Sequence, residues 1–232
     1  MSGMNTARRS LIFDADDTLW ENNVLFERVV EDYLDWLAHP TLSRPEIRSV
    51  LDDIEAANVK NNGYGSRAFL GNLAQTFERL YARPVTDAQR AEIEDLAAAL
   101  LHHDIELMPG VADVLGTLGT RHDLFLLTKG DQTEQRRKLD ASGLAHHFAA
   151  VHIVPEKDPD VYREVTVEHG LINENTWMIG NSPKSDILPA RAAGLNAVFI
   201  PHVSTWVLEH SEIPPDDRVL RLPSFTALLD HF

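Results

Sequence analysis

Asp14, Asp16, Asp17 and Thr18 fall within one five-residue stretch, directly after the apolar run Leu11-Ile12-Phe13. Such a run reads as a buried strand. Carboxylates gathered at its end repel one another and resist desolvation, at about 4 kcal/mol per close pair for an effective dielectric of about 20. A positive charge must compensate. The prospective ligand atoms are all oxygens and the chain has no Cys, so a hard cation such as Mg²⁺ is favoured over zinc. A helix cap by Asp17 or Thr18 accounts for one carboxylate, not three.

The elements that must position these groups alternate. Strand one is expected over 10–16, followed by about eighty residues of helical period without a strand signal. Apolar residues at helical spacing predict a helix over 22–38. Ser43-Arg44-Pro45-Glu46 is a capping-box pattern that opens a helix to about Val59, and Thr86-Asp87-Ala88-Gln89 opens another to about His102. Between them the turn Asn61-Asn62-Gly63-Tyr64-Gly65 precedes a helix over 67–81. After Met108-Pro109-Gly110, strands near 123–128, 150–154, 176–179 and 197–200 alternate with helices near 111–118, 133–141, 159–169 and up to Gly194. This is the pattern of a parallel sheet covered by helices on both faces. The expected fold is therefore α/β, a Rossmann-like core of residues 10–19 and 107–232 with an all-helical cap over 20–106, and 1–9 as a flexible tail.

Ligands in open α/β sheets bind beyond the carboxyl ends of the strands. Asp14 and Asp16 end strand one, Thr128-Lys129-Gly130 ends the run at 124–127, Lys157 follows His152-Ile153-Val154, and Gly180-Asn181-Ser182 follows Trp177-Met178-Ile179. Together they describe an anion site with a metal. Asp14 reads as a nucleophile toward phosphorus. Asp16, two residues on, reads as the general acid that protonates the leaving oxygen and later deprotonates water. Thr128 would offer a hydroxyl to a phosphoryl oxygen, Lys157 a fixed positive charge, and Asp186 would complete a metal shell with Asp14 and the Asp16 carbonyl. Thr18 supports the turn, and Asp17 has no chemical assignment beyond shaping the exit into the cap.

Composition bounds the partners. The 232 residues are 44% hydrophobic and 25% charged, ordinary for a soluble enzyme, with a formal charge of -15. That charge argues against nucleic acid, which requires clustered Lys and Arg. No apolar run approaches the roughly 20 residues of a membrane span, and the N-terminus lacks the apolar core of a signal peptide, so no membrane partner and a cytoplasmic location are expected. Without Cys there is neither a disulfide framework nor a thiol nucleophile.

In this order and on these elements the motifs resemble those of the haloacid dehalogenase superfamily, in the branch with a helical cap after the first strand, across essentially the whole chain after residue 9. Asp14-Ala15-Asp16-Asp17-Thr18 fits the first motif, Thr128 the second, Lys157 the third and Gly180-Asn181-Ser182-Pro183-Lys184-Ser185-Asp186 the fourth. The resemblance implies Mg²⁺-dependent hydrolysis of a small phosphorylated metabolite through an aspartyl-phosphate. Asp14, Asp16, Asp186 and Asn181 would serve the metal, and Thr128, Lys129 and Lys157 the phosphate. Asn181 stands where many relatives carry Asp; its amide oxygen can ligate but adds no charge, which lowers the expected metal affinity.

Three other chemistries share these parts. Dehalogenation expels halide without an acid or a metal and leaves Asp16 and Asp186 without a task. Mutase chemistry keeps both and returns the phosphoryl group to substrate. Receiver-type switches accept phosphate on an Asp but lack an eighty-residue insertion and a partner like Asp16. A lid over the strand ends excludes water and contacts the leaving group, so the cap is expected to set specificity. Trp20, Phe26, Tyr64 and Arg67 are its candidate residues, although Trp20 and Phe26 also suit core packing and Arg67 a solvated face. The adjacent pairs His102-His103 and His146-His147 do not suit a metal, because neighbours on a helix point apart. Arg136-Arg137-Lys138 reads as a solvated helix face, and Lys184 equally as a contact to the phosphate or its surroundings and as a helix-start surface residue.

Overall fold

The computed structural model describes residues 8–98, 100 and 104–232. The chain divides into two compact units, Met1–Glu21 with Ile105–Phe232, and Asn22–Asp104. Residue 20 falls in the first unit because Trp20 is fully buried in that unit's core and pairs through its backbone with Asp16 and Leu107.

In the first unit the strands are β1 (Ser10–Phe13), β2 (Asp123–Lys129), β3 (Ala150–Val154), β4 (Thr176–Gly180), β5 (Asn196–Phe199) and β6 (Val219–Arg221). Among the described residues they form one six-stranded parallel sheet in the order β3-β2-β1-β4-β5-β6. Alternation along β1 sends Leu11 and Phe13 into one apolar cluster and Ile12 into another on the opposite face, as a sheet buried on both sides requires. The sequence reverses direction across the sheet at β1, which neighbours β2 on one side and β4 on the other. The carboxyl end of β1 is thus the topological switch point where such sheets bind ligands.

Strand one ends at Phe13, three residues short of the predicted Asp16. Asp14 still donates its N–H to the Ile179 carbonyl at 2.9 Å, but the chain then closes a turn in which Leu19 N–H bonds Ala15 O at 2.8 Å and Asp17 N–H bonds Trp20 O at 2.8 Å. Asp17 takes the left-handed conformation, at φ 60°, which favours glycine and is uncommon for a side chain with a Cβ. Strand β6 was not predicted: three residues leave too little alternation to read.

The second unit holds α1 (Asn23–Leu37), α2 (Arg44–Asn62), α3 (Ser66–Tyr81) and α4 (Asp87–Leu96). Both capping boxes form, Ser43 with Glu46 and Thr86 with Gln89. The apolar stripes of the four helices meet in one cluster that includes Val30, Tyr33, Leu51, Leu73, Phe77 and Ile93. The end of the helix predicted to reach His102, and the pair His102-His103, lie outside the described residues. Among the described residues no helix is long and apolar enough to cross a membrane. The α-helices described in the first unit are α5 (Val111–Gly119), α6 (Gln132–Ser142), α7 (Pro159–Glu168) and α8 (Leu188–Ala192).

Candidate active site

Lys157 is the hub of the switch point. It leaves β3 in the loop before α7, whose start is marked by the cap Asp158 and by Pro159, and its side chain is almost wholly buried. Its Nζ lies 2.5 Å from Asp14 Oδ1 and 2.8 Å from Asp186 Oδ1. Burial pushes the Lys157 pKa down, but the two carboxylates outweigh that and hold it well above the ordinary lysine range, so it is an ammonium.

Asp186 arrives from a π-helical turn, Pro183–Ile187, directly before α8. Such wide turns recur at functional sites. Here the turn is secured by Ser182, whose side chain accepts the Ser185 N–H at 2.9 Å, and by Tyr162, whose hydroxyl donates to the Ser185 carbonyl at 2.8 Å. The Ser182 N–H in turn donates to Asp186 Oδ2 at 2.9 Å. Gly180 is required for this packing, because a Cβ there would collide with the Asp186 carboxylate. Burial, and then the Asp14 charge, push the Asp186 pKa up to about 7 against the pull of Lys157. Two carboxylates share one ammonium in a water-poor site, so the cluster is short of positive charge.

Thr18 closes the other side. Its hydroxyl lies 3.1 Å from Asp14 Oδ2 and 3.3 Å from Asn181 Oδ1, and its single proton can serve only one of them well. Asn181 donates from Nδ2 to Thr205 Oγ1 at 3.2 Å, which leaves its Oδ1 on the Thr18 side. The donor set of Asp14, Asp186 and the Asn181 amide oxygen is all oxygen, and its charge deficit fits a hard divalent cation.

Asp16 lies elsewhere. Its Oδ1 and Oδ2 take Lys138 Nζ at 2.7 and 2.8 Å, with further bonds from Gln135 Nε2 at 2.7 Å and Trp20 Nε1 at 2.8 Å. Burial pushes its pKa up, but the Lys138 charge and these hydrogen bonds prevail and hold it below its ordinary value. This corrects the reading of Arg136-Arg137-Lys138 as a solvated face. Helical spacing places Gln135, Lys138 and Leu139 on the buried side of α6, and the ammonium tolerates burial because Asp16 balances it.

Lys129, expected on phosphate, is engaged differently: its Nζ lies 2.5 Å from Glu209 Oε1 and 2.8 Å from Ser185 Oγ. Glu209 Oε2 also accepts from Ser182 and Ser185, each at 2.5 Å, so the pair ties the end of β2 to the π-helical turn. Burial raises the Glu209 pKa, but Lys129 and the two hydroxyls bring it below the ordinary range. Thr128 is buried at the carboxyl end of β2, opposite Ile153. Trp20, expected to line a substrate pocket, is instead sealed in the core with its indole on Asp16. Lys184 reaches the Leu208 carbonyl at 3.0 Å.

In the helical unit Phe26 stacks edge-on against Phe69 with ring centroids 5.1 Å apart. Arg67 is exposed beside a cavity of about 400 Å³ that also borders Arg90 and Glu94, and Tyr64 is half-buried in the α2–α3 turn. The rings of His146 and His147 lie 4.0 Å apart, closer than helix neighbours were expected to be, with His146 Nδ1 on the Gly143 carbonyl at 2.8 Å.

Sequence reasoning missed Lys138, Gln135, Tyr162 and Glu209. The first two carried a signal, the spacing of three that aligns them with Leu139. Glu209 sits in an irregular stretch after β5 with no period to read.

The fold defines a Rossmann-like α/β protein whose polar groups converge at the end of β1. Over residues 9–194 the sequence matches the haloacid dehalogenase-like hydrolase family, and the chain belongs to that family. A phosphoserine phosphatase from Thermus thermophilus is 38% identical over 101 residues, a match that spans 41% of this chain and 40% of that protein. Among solved structures, a haloacid dehalogenase-like family hydrolase from Xanthomonas campestris superposes with a TM-score of 0.85 at 26% identity, covering 100% of this chain and 93% of that one. The putative HAD-hydrolase YfnB from Bacillus subtilis, bound to magnesium, has a TM-score of 0.69 at 18% identity over 97% of this chain and 99% of its own. A 2-haloacid dehalogenase from Pseudomonas syringae reaches 0.63 at 18% identity, covering 96% and 97%; likenesses at this identity concern the fold.

Proposed function

We propose that the protein is a phosphatase that hydrolyses a small phosphomonoester through a phosphorylated Asp14, with Mg²⁺ as its cofactor. The observation that carries this reading is the pair of buried carboxylates, Asp14 and Asp186, sharing the single ammonium of Lys157. The remaining charge deficit of that pair is the environment that a divalent cation and a phosphoryl group would complete together. The partial identity to a phosphoserine phosphatase supports the choice of phosphorus over carbon as the electrophile.

Asp14, Asp186, the Asn181 amide oxygen and the Asp16 carbonyl are the residues assigned to Mg²⁺. Bound there, the ion would neutralise phosphoryl charge and offset the two carboxylates. Lys157 holds Asp14 Oδ1 in place and supplies a fixed charge beside the transferring group. The Lys157 ammonium on Oδ1 and the Thr18 hydroxyl on Oδ2 orient the Asp14 carboxylate for attack. Once Asp16 has left Lys138 and taken a proton from solvent, attack on phosphorus forms the Asp14–phosphate bond and breaks the bond to the leaving oxygen, which takes that proton from Asp16. Asp16 then removes a proton from the water that cleaves the phosphoryl-aspartate. Asp16 must leave Lys138 to do this, and we assign Lys138 and Gln135 the resting position of that carboxylate. Lys129 joins the phosphate-binding set through Ser185 and Glu209, by fixing the π-helical turn, and Thr128 directly. The helical unit, with Tyr64 and Arg67, is assigned the choice of leaving group.

The test is phosphate release across a phosphomonoester panel in Mg²⁺, with Asp14→Asn as the blank. Release by the unmodified enzyme well above the blank is expected. Equal release across the panel overturns the reading, and turnover of a sugar phosphate to its isomer without phosphate release replaces hydrolysis by mutase chemistry.

A further inference from the structure

We infer that His152, Glu168 and His169 form a binding site for a transition-metal cation of the Zn²⁺, Co²⁺ and Ni²⁺ class, separate from the oxygen donors around Asp14. His152 stands in the middle of β3, and Glu168 and His169 are the last residue and the cap of α7. The Nε2 atoms of the two imidazoles lie 2.8 Å apart, and Glu168 Oε1 lies 3.9 Å from His169 Nε2. One donor atom from each residue falls within 4.8 Å of the other two. A tetrahedral ion with bonds of ~2.0–2.1 Å holds neighbouring donors about 3.3 Å apart. The ion enters by parting the imidazoles by roughly half an ångström and drawing in Glu168, an exposed side chain with room to turn.

The chemistry favours ligation. A hydrogen bond between two Nε2 atoms needs one donor and one acceptor, so the pair is not doubly charged. Neutral imidazole is the form that binds metals. In the metal-free pair one Nε2 carries a proton; on ligation that ring moves the proton to Nδ1 and stays neutral, so no net proton is released. Two imidazoles and one carboxylate select borderline cations, whereas the all-oxygen set near Asp14 selects a hard one. Three protein ligands leave a fourth position for water.

The consequence reaches the active site through the chain. His152 and His169 bracket the segment that carries Lys157 in the loop before α7 and Tyr162 within α7. A metal bridging its two ends would restrain the loop that places the Lys157 ammonium against Asp14 and Asp186.

The test uses the full chain without an affinity tag, in excess Mg²⁺ so that the oxygen site is filled, titrated with Co²⁺ and then Zn²⁺. One equivalent of Co²⁺ is expected to bind with the visible absorption of a low-coordinate site. Zn²⁺ should displace it and raise Tm. His152→Gln and His169→Gln should each lose both signals, Glu168→Gln should weaken binding, and Asp14→Asn should retain both signals. Two histidine variants guard against one that fails to fold. Saturation absent below about 100 µM, or both signals surviving in a folded histidine variant, overturns the site and leaves the phosphatase reading untouched.

Discussion

Asp14 and Asp16 stand two residues apart and are neutralised in opposite ways. Asp14 shares Lys157 with Asp186, so two charges lean on one ammonium. Asp16 is paired with the Lys138 ammonium, with Gln135 and Trp20 also on its oxygens. The first arrangement is under-compensated and calls for a cation; the second is saturated and calls for nothing. Adjacent carboxylates thus receive different chemistry from the helices and loops that face them, not from their own type.

Asp16→Asn should have the largest effect. A general acid/base group is worth about 10²- to 10⁴-fold, so turnover of the best panel substrate should fall by that much with KM little changed. A variant that loses stability but keeps turnover would make Asp16 a structural anchor and break the comparison from its saturated side.

Lys157→Met comes next. Removing the shared ammonium leaves two buried carboxylates unpaired, at a cost of about 3–5 kcal/mol, read from urea unfolding. Mg²⁺ should restore more stability to this variant than to the unmodified chain. Equal restoration would mean that the Asp14–Asp186 cluster is not short of charge.

Lys138→Met should cost less, about 2–3 kcal/mol, because water still reaches part of Asp16 and screens the pair. The sign with pH follows from the depressed Asp16 pKa. Its pairing stabilises the fold fully above the ordinary carboxylate value of 3.8, and that contribution is lost as pH falls through the lower folded value. The stability gap between unmodified chain and variant should therefore be widest near neutrality and narrow below about pH 4. A gap independent of pH would assign the loss to packing of the lysine stem.

Much of the fold was legible. Apolar periodicity located β1 to β5 and most helices, and the capping boxes marked two helix starts to the residue, because these signals are local. The turn supported by Thr18 was expected, but its start at Asp14 was not, since the alternation of residues 10–16 does not mark where pairing with the neighbouring strands stops. For the candidate site, Asp14, Lys157 and Asp186 could be gathered at one sheet edge from strand order alone, whereas the partners of Asp16 and Lys129 could not. Lys138 looks like one more charge in a basic run until its helix is packed, and Glu209 reaches Lys129 from a stretch without period.

The sequence by itself determined the chemistry available, oxygen donors and two lysines at the ends of parallel strands, because strand direction and residue type are local properties. Only the tertiary structure decided which charges meet. Pairing between residues more than a hundred positions apart, as in Asp16 with Lys138 or Asp14 with Lys157, depends on how the layers pack and on which ammonium is left to balance each carboxylate once water is excluded.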